Sequence, residues 1–167
     1  MRFIDVLERI NVLIGRSVSW LTLVMVLVTF LIVVMRYVFG IGWIWLQESV
    51  TWMHAAVFML AAAYTLTREE HVRVDIFYRK LSPHKRAFID AFGSLCLLTP
   101  VALFVLYVSW DYVATSWQIK ESSPEAGGLI YPFPSLLKTL IPAMAVMLLL
   151  QGLVMLIRAV SRLLGKR

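Results

Sequence analysis

Residues Ser17–Met35 read SVSWLTLVMVLVTFLIVVM, 19 residues without a charged side chain. A helix rises about 1.5 Å per residue, so this stretch is roughly 30 Å long as a helix, the thickness of a bilayer's hydrocarbon core. Three more runs repeat the pattern: Ser49–Thr67 with 19 residues, Ala91–Trp110 with 20 and Thr139–Ile157 with 19. Across the 167 residues, 60% are hydrophobic and 16% are charged, whereas soluble domains carry about a quarter charged residues. A soluble helical bundle would also need a polar stripe along each helix. The sequence therefore predicts an all-α integral membrane protein. Its single membrane domain covers residues 1–167, with four transmembrane helices near 17–35, 49–67, 88–112 and 136–158.

The first apolar run is too long for a signal peptide, and no small-residue cleavage site follows it. The lone cysteine, Cys96, lies inside the third run, which rules out a disulfide or a thiolate cluster within the chain. The formal charge of +6 is not a nucleic-acid footprint, because the bases are sorted by loop. Of 16 Lys and Arg residues, 13 precede span one, join spans two and three, or follow span four; Arg36, Lys120 and Lys138 are the other three. Short Lys- and Arg-rich loops stay cytoplasmic, so both termini are expected in the cytoplasm, with the basic segments near anionic lipid.

The stretch TREEHVRVDIFYRKLSPHKR, Thr67–Arg86, then reads as a cytoplasmic hairpin loop. His71 and Asp75 are four apart and share a helix face, but no third ligand is fixed nearby, so no metal site is expected. Asp75 precedes an amphipathic turn that it can cap. Ser82-Pro83 has the form of an N-cap followed by proline at the first helical position, opening span three.

Ahead of span one, Phe3, Leu7, Ile10 and Ile14 recur at helical spacing. They predict an N-terminal amphipathic helix on the cytoplasmic surface or a plain extension of the span. Between spans one and two, YVFGIGWIWLQ (Tyr37–Gln47) is too short to cross and too apolar for an open loop. Its Tyr37, Trp43 and Trp45 favour the headgroup boundary, which predicts a short interfacial helix or turn. Gly15, Thr22, Thr29 and Arg36 in span one read as a packing face, as do Glu48, Thr51, Ala55, Phe58, Ala62 and Thr65 in span two. Arg36 and Glu48 flank the interfacial segment and are candidates for an ion pair. Pro100 is a candidate kink. Gln151, inside span four, is expected to face protein. His54 is the one histidine within a span, and a buried haem normally takes two axial ligands from different helices. No catalytic constellation is visible.

Taken in order, several of these residues resemble a known family. RYVFG at Arg36–Gly40, Trp45 followed by Gln47-Glu48, HVRVD at His71–Asp75, and Trp117 followed by KESS with Glu121 and Ser123 are similar to motifs of one subunit. So are Pro132, Lys138, Pro142 and Gln151. That subunit is the small permease component of the tripartite ATP-independent periplasmic (TRAP) transporters. The likeness runs through nearly the whole chain. It departs at Glu69-Glu70 and Ala143-Met144, where the family often has glycine.

The resemblance implies a multi-pass subunit of the bacterial inner membrane. Its implied partners are a large multi-span permease and a periplasmic substrate-binding protein, besides membrane lipid; nucleic acid is not among them. It implies sodium-driven symport of carboxylates or related solutes, with the small subunit as scaffold. No enzyme activity, cofactor, metal or substrate-binding residue is expected in this subunit. The candidates for structural or partner-interface roles are Arg36, Trp45, Glu48, His71, Asp75, Trp117, Glu121, Ser123, Pro142 and Gln151. Two other readings stand beside it: an autonomous homodimeric transporter using Glu48 as its coupling carboxylate, and a membrane anchor of a redox enzyme with His54 as haem ligand.

Overall fold

The computed structural model describes residues 2–67, 78 and 81–164. His71 and Asp75, with the cap assigned to Asp75, lie outside the described residues. Four helices follow one another: α1 (Arg2–Val38), α2 (Ile44–Thr67), α3 (Pro83–Gln118) and α4 (Phe133–Leu163). Each is long and apolar enough to cross a membrane. No strand occurs among the described residues.

The 37 residues of α1 form one unbroken helix, so the N-terminal stretch extends span one. The Tyr37–Gln47 segment divides between the end of α1, a short turn and the start of α2, and contains no separate helix. Gly40 makes the turn possible at φ +67°, a left-handed conformation that glycine adopts without a Cβ clash. The Ile41 N–H then folds back onto the Met35 carbonyl at 3.0 Å, satisfying one of the free carbonyls at the helix end. At the start of α3, Ser82 Oγ accepts from the Lys85 N–H at 3.4 Å and Pro83 takes the first helical position, as the sequence predicts.

Pro100 is accommodated by a π-helical stretch, Gly93–Leu98, immediately before it. A proline ring crowds the carbonyl four residues back and offers no N–H. Widening the preceding turn relieves both problems. The widened turn is held by Thr99, whose N–H and hydroxyl both donate to the Ser94 carbonyl, the hydroxyl at 2.8 Å.

The helices alternate in direction, and α4 touches each of the other three. Its buried residues, Ser135, Ala145, Met147, Gln151, Gly152, Val154 and Ala159, make it the centre of the bundle. Against it α3 buries Ala87, Ser94, Ala102, Ser109 and Ser116. Small side chains dominate because helices in lipid associate by close packing and not by expulsion of water. Two glycines show how close the approach is. A Cβ on Gly15 would fall 2.5 Å from Tyr64 Cγ, and one on Gly152 would fall 2.9 Å from Leu98 Cδ2.

The packing stripes expected on α1 and α2 are corrected in part. Gly15 is buried, but Thr22, Thr29 and Arg36 are exposed. The α1 track turned inward is Val18, Leu21, Met25, Val28, Ile32 and Met35, all half-buried. A seven-residue step marks any track of a helix. The track with broad apolar side chains makes more van der Waals contact and takes the interface. On α2, Thr51 and Phe58 are exposed, while Glu48, Ala55, Ala62 and Thr65 are half-buried.

Candidate functional site

Charged and polar side chains gather at the two ends of the bundle. The larger group lies where α3 passes through residues 119–132 into α4, beside the start of α2. Just beyond the end of α3, Lys120 takes φ +51°. The Lys120 N–H bonds to the Trp117 carbonyl at 3.3 Å and the Glu121 N–H to the Ser116 carbonyl at 3.1 Å, the paired bonds of a left-handed C-terminal cap. This turns the loop back over α2.

Glu48, in the second turn of α2, receives that loop. One carboxylate oxygen accepts from the Ser123 hydroxyl and the other from the Leu129 N–H at 2.6 Å. The first N–H groups of a helix lack partners within it, and the Trp45 N–H is satisfied by the Gly127 carbonyl at 3.0 Å. Glu48 then adds charge-assisted bonds one turn further in. Glycine is required on the loop side. Gly127 sits at φ +81°, and a Cβ on Gly128 would fall 2.8 Å from Glu48 Oε2 and against the Ser123 side chain. The loop closes on itself through Ser123 N–H to the Leu129 carbonyl (2.8 Å), Gly128 N–H to the Glu125 carbonyl (2.9 Å) and Tyr131 N–H to Ser122 Oγ (3.0 Å).

A second set of contacts ties the loop to α3 and α4. Lys138 Nζ donates to Glu121 Oε2 at 2.5 Å and lies 4.1 Å from the centre of the Tyr112 ring. The Lys138 ammonium bonded to it, helped by Ser116, holds the Glu121 carboxyl below its ordinary range. Trp117 Nε1 donates to Thr139 Oγ1 at 2.9 Å, and its ring meets Tyr131 edge-on at 5.9 Å. Beneath them the buried hydroxyls of Ser116 and Ser135 pair at 3.0 Å. Trp52 Nε1 reaches the Phe133 carbonyl at 3.3 Å.

At the opposite end, Gln151 is 2% exposed and accepts from Asn11 Nδ2 at 3.1 Å; Asn11 is 1% exposed. Arg158 binds Glu8 nearby, with Nη2 at 2.7 Å from Oε2. Tyr78 donates its hydroxyl to Asp90 at 2.8 Å, with the Arg86 guanidinium 5.5 Å from its ring centre.

The structure thus brings together Glu48 and Ser123 directly, Trp45 through its backbone, and Glu121 and Trp117 one layer away. Pro142 lies one turn deeper in α4 than Lys138, and Gln151 belongs to the opposite end. Arg36 is exposed and forms no ion pair with Glu48. In place of the expected pair, the loop engages both Glu48 oxygens. Sequence reasoning did not find Asn11, Glu8, Tyr112 or the Leu129 N–H. For Asn11 a signal was present: it stands on the Leu7–Ile14 face as a lone amide among apolar residues, where an unpaired polar group is costly. Nothing in the sequence marks a backbone N–H as a carboxylate ligand.

The family described as "Tripartite ATP-independent periplasmic transporters, DctQ component" matches residues 25–162. A curated relative from Vibrio cholerae serotype O1, named C4-dicarboxylate TRAP transporter small permease protein DctQ, is 27% identical over 88 residues. That alignment covers 53% of this chain and 38% of the relative. No solved structure matches the chain.

Proposed function

Because this chain belongs to the DctQ component of the tripartite ATP-independent periplasmic transporters, a transporter component and not an enzyme, we propose that it is the small, fixed membrane subunit of such a system. In this reading it stands beside a large multi-span permease that binds and moves the solute. A periplasmic substrate-binding protein delivers the solute, and a sodium gradient drives uptake. The solute is an organic acid or a related compound, a class to which the C4-dicarboxylates of the relative's name belong.

The Glu48 clasp carries the fixed-subunit reading. The carboxylate that an autonomous transporter would use for coupling is engaged on both oxygens by the chain's own loop. The Glu121–Lys138 pair likewise fixes the loop to α4, and the Glu8–Arg158 pair joins α1 to α4 at the opposite end of the bundle. Midplane carboxylates free to change partners are a usual mark of ion-coupled transport, and among the described residues no carboxylate lies at mid-span. The distribution of bases supports an inner-membrane orientation with both termini and the α2–α3 connection in the cytoplasm, and the Glu48 loop in the periplasm.

Reconstitution tests this. The chain alone in liposomes is expected to give no sodium-driven uptake of an organic acid. Uptake is expected once the large permease and the binding protein are supplied. Uptake by the chain alone would overturn the reading.

A further inference from the structure

From Leu46 onward, α2 exposes Gln47, Thr51, His54 and Phe58, at steps of four, three and four; every other residue of the helix is buried or half-buried. His54 lies ten residues past Ile44, roughly 15 Å along the helix and near the middle of a bilayer core about 30 Å thick. An imidazole facing acyl chains at that depth has no water to bond, and such residues normally face protein.

The neighbouring polar groups on α2 are satisfied within the chain. Ser49, Thr65 and Thr67 donate their hydroxyls to the carbonyls of Leu46, Ala62 and Ala63. Gln47, Thr51 and His54 make no side-chain hydrogen bond to any described residue. A threonine can turn its hydroxyl onto its own helix backbone. Histidine, whose ring nitrogens stand farther from the backbone, has no such recourse here. The other free faces differ. α3 exposes Val101, Phe104 and Val108, and α1 exposes Val26, Leu27 and Phe30, side chains that lipid solvates well; the exposed Thr22 and Thr29 of α1 can bond their own helix backbone, and Tyr107 lies toward one end of its span, where its hydroxyl favours the headgroup boundary.

We infer that the Thr51–His54–Phe58 face of α2 is the seam on which a transmembrane helix of the large permease docks, with a hydrogen-bonding side chain of that helix opposite His54. This rests on the reading of the chain as a small permease subunit. The face suits such a partner. Its polar groups sit between apolar neighbours, so it asks for a dry helix contact with one or two interhelical hydrogen bonds. Phe58, 72% exposed, supplies the apolar contact one turn away.

The test co-expresses the chain with the large permease and places a photo-crosslinking p-benzoylphenylalanine at position 54 or at position 104 on α3. Crosslinking from 54 to the large permease, and none from 104, is expected. His54→Leu is expected to lower recovery of the large permease by roughly threefold, and by up to about twentyfold. The thermal stability of the isolated subunit is expected to hold, since leucine suits lipid better than histidine. Phe104→Leu is expected to leave recovery unchanged. Crosslinking from 104 and not from 54, with the complex intact, would sink the seam while the subunit reading stands. Crosslinks at 54 that join two copies of this chain, or that reach only lipid, would also sink it, as would undiminished recovery with His54→Leu. Failure of the native chain to co-purify with the large permease would bring down both.

Discussion

Asn11 and Gln151, 140 positions apart in the chain, share a hydrogen bond of 3.1 Å between α1 and α4, and both are almost wholly buried. Each amide removes the other's desolvation penalty. Asn11→Leu strands Gln151 and is expected to destabilise the subunit by about 1–3 kcal/mol. The double change Asn11→Leu/Gln151→Leu, which leaves two apolar side chains, is expected to recover part of that loss. Thermal unfolding in detergent measures both. A double variant no better than Asn11→Leu would show that the pair is not coupled.

Glu48→Ala deprives the Ser123 hydroxyl and the Leu129 N–H of their acceptor. It is expected to cost about 1.5–3 kcal/mol per charge-assisted bond lost, less what water restores. Amide exchange across residues 121–131 is expected to quicken, and transport by the assembled system to fall. Glu125→Ala, an exposed loop residue, is expected to do neither. Swapping charges as Arg36→Glu/Glu48→Arg is expected to rescue nothing, because Arg36 is not the partner. Rescue by the swap would contradict the clasp.

The glycines of the loop give a steric test. Gly128→Ala places a methyl group 2.8 Å from Glu48 Oε2 and is expected to loosen the loop much as Glu48→Ala does. Gly127→Ala is strained by its φ of +81°, at a cost of about 1 kcal/mol or more. Gly42→Ala, with no atom within 4 Å of the added carbon, is the control and is expected to be silent. Amide exchange ranks the three variants. Equal behaviour of Gly42→Ala and Gly128→Ala would argue against the close approach.

The Glu121–Lys138 contact has an acid limit. Glu121 is held below its ordinary value of 4.5, first by its hydrogen bond to Lys138. A carboxyl whose pKa is lower in the folded chain contributes stability fully above its unfolded pKa. That contribution fades as pH falls through the folded value. Loop protection is therefore expected to be flat at neutral pH and to weaken below about pH 4.5, and Glu121→Gln is expected to remove this dependence. The fluorescence of Trp117, whose ring rests on Tyr131, together with amide exchange, follows the change.

Orientation is open to labelling. In a Cys96→Ala background, a cysteine replacing Glu125 is expected to react with an impermeant maleimide in intact spheroplasts. A cysteine replacing Lys85 is expected to react only after the membrane is opened. The reverse pattern would invert the topology.

The four membrane helices were legible because a 19-residue uncharged run has few other readings. The protein-facing side of Gln151 was legible for a related reason: an amide in lipid needs a partner. The identity of that partner was not, since Asn11 is one amide in a stretch that also reads as a surface helix. Arg36 and Glu48 are near in sequence and opposite in charge, which favours their pairing on paper. Glu48 nevertheless bonds a backbone N–H and a serine more than 70 residues away, and loop geometry of that kind is set by tertiary packing. The α1 stripe was misplaced because hydropathy marks a period and not which of several equal-period tracks packs best.

The buried residues of α3 are Ala87, Ser94, Ala102, Ser109 and Ser116, so the steps between them run seven, eight, seven and seven. The step of eight spans the π-helical stretch Gly93–Leu98. The widened turn therefore acts as a phase corrector: it absorbs one surplus residue, and both halves of the rod keep the same edge against α4. α3 accordingly has a splice point. Removing one residue from 95–98, together with Pro100→Ala to free the ring's clash, leaves an even seven-residue beat and a helix still facing its neighbour. The same deletion two turns later would swing everything beyond it by about 100°, turning Ser109 and Ser116 away from α4 and the loop with them.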